Sequence, residues 1–127
     1  ILANMIKKNV LIANANGELI YLNNQMYKLL NVDSESVLNK NMQDTLIPNS
    51  ISEAYELALK RRSKIENSEI KILEKKTVEE KDENTGEVED KEVEEIIFEG
   101  YANVLQLRAK ESSLDYYMMV LSEEVFH

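Results

Sequence analysis

The sequence has no cysteine, one proline, three glycines and one histidine, and each shortage removes a class of chemistry. Without thiols there is no disulfide, no thiolate nucleophile and no cysteine-based metal site. The glycines stand alone at positions 17, 86 and 100, so no glycine-rich loop can cradle a phosphate. The histidine is His127, which reads as a solvated residue rather than a base or a ligand. A serine–histidine–aspartate set could be assembled only from Ser113, Asp115 and His127, with neither a nucleophile elbow nor an oxyanion turn beside them. No catalytic residue is expected, and the acids at Asp82, Glu83, Glu87, Glu89 and Asp90 lack the alternate spacing of a calcium loop, so no metal site is expected either.

No apolar run nears the ~18 residues that cross a membrane, and Ile1 to Asn9 lacks the layout of a signal peptide. The chain begins on Ile rather than Met and reads as a piece of a longer protein. A reducing cytoplasm is the simplest home for a chain without cysteine.

What is present fits one domain: 127 residues, 43% of them hydrophobic. The net charge of −9 argues against nucleic acid as a partner, because phosphate binding needs clustered Lys and Arg. The excess is concentrated. Glu74 to Glu95 holds eleven acids and four bases, whereas the rest of the chain holds thirteen acids and eleven bases.

Val10-Leu11-Ile12-Ala13 and Leu19-Ile20-Tyr21-Leu22 are strand-like runs joined through Asn16-Gly17, so residues 10–22 predict a β-hairpin with a type I′ turn. Asn23 sits at an N-cap position before a short helix over 24–31, and Asp33 or Ser34 caps another turn through Val37 and Leu38. Met42, Leu46 and Ile47 supply core contacts from a third short piece. Ser50-Ile51-Ser52-Glu53 matches a capping box, and Ile51, Ala54, Tyr55, Ala58 and Ile65 recur on one face of a helix over 51–65. Glu69-Ile70-Lys71-Ile72, Ile96 to Arg108 and Tyr116 to Leu121 then read as strands. The acidic stretch 74–95 fits two descriptions: a charged disordered loop, or an extension of the hairpin turning at Asn84-Thr85-Gly86. The order β-β-α-α-α-β-β-β predicts an α+β domain, a five-stranded antiparallel sheet with short helices on one face.

These residues resemble a PAS domain. The run Val10 to Asn23 is similar to the family's opening hairpin, an apolar strand, an Asp-x-x-Gly turn and an apolar strand closed by Asn. Gly17 and Asn23 match it, and Asn14 stands in place of the usual Asp. Leu38-Asn39-Lys40-Asn41-Met42 and Leu46-Ile47-Pro48-Asn49-Ser50 resemble the segment before the long helix, with Asn39 where Gly is frequent. The Ile-Pro-Asn-Ser run has the flavour of PAS domains of sigma-54-type transcriptional activators; a sensor histidine kinase is the other parent considered. The likeness covers 1–73 and 96–125. It implies a sensory or dimerisation module in bacterial signal transduction or transcription regulation, attached to an output domain in the same parent chain. It also implies a pocket between sheet and helices that takes a small molecule, or a sheet face that forms a homodimer. Without an internal His or any Cys, the family's axial haem ligation and covalent flavin chemistry are not expected, and the cofactor, if there is one, is unidentified.

Tyr27, Met42, Tyr55, Tyr101 and Met118 are the candidate pocket lining, and the plain alternative is that they fill the core. In the adjacent pair Arg61-Arg62, one inward guanidinium would pair with an anionic ligand, against the commoner case of a solvated pair. Ile1, Leu2, Met5 and Ile6 form an amphipathic stripe in a flanking helix over 1–9, and the strand Tyr116 to Leu121 is apolar on both faces. Its second face needs a cover, which makes residues 1–6, from the same or another subunit, the candidate dimer contact. The alternative function is a ligand-free protein–protein interaction domain whose interior is filled by its own side chains.

Overall fold

The computed structural model describes residues 8–45, 47–61, 64–108 and 115–125. Strands β1 (Asn9–Asn14) and β2 (Leu19–Leu22) are followed by helices α1 (Asn24–Leu30) and α2 (Ser34–Val37), a 3₁₀ turn at Met42–Asp44 and helix α3 (Asn49–Arg61). Strands β3 (Ile65–Lys81), β4 (Val88–Arg108) and β5 (Asp115–Ser122) complete one antiparallel sheet in the order β2-β1-β5-β4-β3. The helices fall between β2 and β3 in sequence and pack on one face of the sheet, over Leu11, Ala13, Ala102, Val104, Met119 and Leu121. The predicted α+β class, a five-stranded antiparallel sheet with short helices on one face, is the observed one.

The opening hairpin turns differently from the sequence expectation. A type I′ turn needs positive φ at Asn16 and Gly17, yet only Gly17 adopts it, at +84°. The amide of Gly17 donates to the Asn14 carbonyl at 3.0 Å, and the Asn14 side-chain oxygen accepts from the amides of Asn16 and Glu18, both at 3.0 Å. The loop is thus four residues held by an Asx-type cage. The Asn14 side-chain amide also donates to the Glu18 carboxylate at 3.0 Å, a contact that Asp at this position could not make.

Asn23 caps α1 by accepting from the Met26 amide at 3.0 Å. It also accepts from the Val10 amide at 3.1 Å and donates to the Lys8 carbonyl, so one side chain ties the start of β1 to the start of α1. Asp33 caps α2 through the Ser36 amide. Asn39 takes φ +62°, which explains why Asn is acceptable where Gly is frequent.

Three boundaries are corrected. Helix α3 begins at Asn49 instead of being capped by Ser50: the Ile51 amide donates to the Pro48 carbonyl, and Ser52 rather than Glu53 reaches back, to the Asn49 carbonyl at 3.0 Å. Ile65 opens β3 instead of closing the helix, because it pairs with Val104. Asn9 belongs to β1, where it pairs with Leu121, and not to the flank.

Residues 74–95 form the outer part of a long β3–β4 ribbon. Strand β3 has 17 residues and β4 has 21, paired to Lys81 and Val88 and closed by a turn in which Gly86 donates to the Asp82 carbonyl. A bulge between Ile72 and Leu73 separates the body from this arm.

Gly100 sits where the chain leaving β5 crosses β4. A Cβ there would stand 2.3 Å from the Ser122 carbonyl oxygen and 2.9 Å from the Glu123 Cα, both backbone atoms. The variant Gly100→Ala is expected to lose about 1–3 kcal/mol of unfolding free energy, measured by urea denaturation. Parent-like stability would show that the crossing relaxes freely.

Candidate functional site

Helix α3 lays Ile51, Tyr55 and Ala58 against the sheet, because positions three and four apart share a helix face. Tyr55 is the largest fully buried side chain, 2% exposed. Its hydroxyl donates to the Asn14 carbonyl at the end of β1, and its ring meets Tyr117 of β5 edge-on, with centroids 5.6 Å apart and planes at 83°. Burial, and secondarily the neighbouring Tyr117, push the Tyr55 phenol well above its ordinary value of 10.0. Met26, Met42 and Met119 belong to the same buried cluster. The space between helices and sheet is therefore occupied by the chain's own side chains.

Only part of the expected pocket lining converges here. Tyr55 and Met42 are core residues, and Tyr27 on α1 is half-buried at its margin, where burial and then nearby Tyr21 raise its phenol. Tyr101 and Met118 do not join them. The inward residues of β4 and β5 are Ala102, Val104, Tyr117 and Met119, so the strict alternation of a strand turns Tyr101 and Met118 to the opposite face. Arg61 is exposed, while Arg62 and His127 lie outside the described residues.

A cleft of about 290 Å³ opens beside Tyr55, between the β1–β2 turn, the 3₁₀ turn and α3. Its polar groups are engaged with one another. Asn41 donates to the Asn16 carbonyl at 2.8 Å and accepts from the Gln43 amide, while Gln43 donates to the Glu56 carboxylate at 2.7 Å. The same segment is zipped to β2: Leu19 donates to the Lys40 carbonyl, and Asn39 donates to Leu19. Nothing in the sequence pattern announced this Asn41 bridge.

The outer face of the sheet is apolar. Val10, Met118 and Val120 form a second buried cluster with Ile12 packed against it. Leu105, opposite Met118, and Leu107, opposite Tyr116, extend it and remain 38% and 37% exposed. The proposed contact residues Ile1, Leu2, Met5 and Ile6 lie outside the described residues. Among the described residues no helix is long and apolar enough to cross a membrane, and no group of acids and His could hold a metal ion.

With strand order, helix placement and interior established, the architecture can be set beside known structures. No protein-family model and no curated protein matches the chain. The light-state dimer of the fungal blue-light photoreceptor Vivid is similar in structure, with 13% identity, TM-score 0.53 and coverage of 91% of this chain and 77% of that one. The PAS domain of Bordetella pertussis BvgS matches with 14% identity and TM-score 0.48, over 91% of this chain and 76% of that one. The Escherichia coli DhaR(N)–DhaL complex matches with 12% identity and TM-score 0.49, over 94% of this chain but only 34% of that one.

Tyr55→Phe tests the packed centre. Loss of the hydroxyl leaves the Asn14 carbonyl with one partner fewer and is expected to cost about 1 kcal/mol near neutral pH. The parent's advantage should shrink above the ordinary phenol value of 10.0, since there the unfolded Tyr55 ionises while the folded one stays protonated. Denaturation of both proteins at stepped pH reads this; a difference that grows with alkalinity contradicts the assignment.

Proposed function

We propose that the chain is a non-catalytic signalling module of a regulatory protein, acting by protein–protein contact through the outer face of its sheet, with a homodimer as its working form. The observation that carries this reading is the outer apolar surface, where buried Val10, Met118 and Val120 continue into half-open Leu105 and Leu107. Monomeric proteins seldom leave a contiguous apolar patch without a partner. Ile1, Leu2, Met5 and Ile6 remain proposed contributors on their sequence spacing alone. The output domain belongs to the same parent chain, either a transcriptional activator or a sensor kinase.

The packed interior favours contact over ligand capture. A small molecule entering between sheet and helices would have to displace Tyr55 together with its bond to Asn14 and its contact with Tyr117. Sensing by a non-covalent interior ligand is therefore the lesser reading, and a surface relay the greater.

Sedimentation of the parent and of the double variant Leu105→Glu/Leu107→Glu checks the interface. The parent is expected to be dimeric at about 100 µM, a concentration that favours assembly when Kd is micromolar, and the variant monomeric with unchanged circular dichroism. A parent monomeric at that concentration sinks the dimer reading.

A further inference from the structure

The β3–β4 arm carries its charge on one strand. Over residues 74–81, β3 has three acids and three bases; over 88–95, β4 has five acids and one base, and the turn 82–87 adds three acids. The register sets Glu74 opposite Glu95, Glu79 opposite Asp90 and Glu80 opposite Glu89, three carboxylate pairs that repel within the ribbon. Two exposed ion pairs offset this, Lys76–Glu95 at 2.6 Å and Lys91–Glu80 at 3.8 Å.

The backbone edges of the arm differ as well. Strand β5 pairs with β4 only from Tyr101 to Arg108 and ends at Ser122, while β4 runs on to Val88. Among the described residues nothing pairs with β4 over 88–99 on the side that β5 has left. At the foot of that open edge is a cleft of about 660 Å³, with Phe98 and Leu121 in its wall, Ser122, Glu123 and Glu124 along it and Lys8 at its rim. An unpaired row of amides and carbonyls and a one-sided run of carboxylates therefore lie along a single line.

We propose that the free edge of β4, residues 88–99, accepts an extended basic segment of a partner protein as an additional strand. Main-chain bonds to the open edge would hold the segment in register. Its Lys and Arg side chains would meet Glu89, Glu92, Glu94 and Glu95 across both faces of the ribbon. A second copy of the arm is a poor occupant, because its own β4 would bring the same carboxylates. The outer edge of β3, with balanced charges, offers no such selectivity for a cation.

The probe is a capped (Lys-Lys-Thr-Val)n peptide of about twelve residues, long enough to run beside 88–99, titrated into the full chain by calorimetry and followed by amide hydrogen exchange. Binding should protect amides within 88–99 and leave the outer edge of β3 unchanged. It should weaken at least roughly tenfold when every peptide amide is N-methylated, which keeps the charge and removes the donors, and by a similar factor in Glu89→Lys/Glu92→Lys/Glu94→Lys. Absence of binding up to about 1 mM, where any usable affinity would register, overturns the proposal. So does equal binding of the N-methylated peptide, which would mean charge attraction alone, or protection appearing on β3. Protection of 88–99 that rises with protein concentration in the absence of peptide would assign the edge to a second copy and overturn it too.

Discussion

The carbonyl of Asn14 is the point on which the arrangement of layers depends. It accepts from the Gly17 amide, which closes the first hairpin, and from the Tyr55 hydroxyl, which arrives from helix α3. A carbonyl has two lone pairs, and here one fixes the turn while the other fixes the distance between helix and sheet. Because Tyr55 also rests edge-on against Tyr117, the same residue links α3 to β1 and to β5, the two central strands on that side. A small aliphatic residue at this position would leave the carbonyl short of a partner and the interior short of volume.

At the other end of β1, Asn23 does the corresponding work. Its oxygen takes the amides of Met26 and Val10, and its nitrogen reaches Lys8. The strand is thus clamped at both ends by asparagines whose side chains imitate backbone groups. That explains how a chain with few glycines makes tight connections: Asn31, Asn39 and Asn67 all adopt positive φ, a region where Asn is tolerated at moderate cost.

How much of this could be read in the sequence depended on whether the signal was local. The cap at Asn23, the cap offered by Asp33 or Ser34, the apolar run of β5 and the helical spacing of Ile51, Tyr55 and Ala58 are local, and the sequence showed them. The fold followed from their order. Of the residues named as a lining, Tyr27, Met42 and Tyr55 come from the helical segment and lie in or against the core. Tyr101 and Met118 were misplaced because assigning a strand residue to a face requires the register, and a one-residue shift reverses it. The Ser50–Glu53 capping box was misleading because the Pro48 carbonyl already accepts from the amides of Ile51 and Ser52. The bridge from Asn41 to Asn16 spans 25 positions and leaves no periodic trace.

The separation of charge along the chain has a structural counterpart in β4. Its first half is acidic and solvated, and its second half carries Ala102 and Val104 in the core and Leu105 and Leu107 on the apolar face. One continuous strand therefore serves two surfaces of opposite character, and the change falls between the bulge near Ile97 and Gly100. At Gly100 the departing chain of β5 comes so close that only a missing Cβ admits it. The end of β5 leaves the edge of β4 open from that point outward, so the contact that sets the chain's exit also sets where the arm's unpaired edge begins.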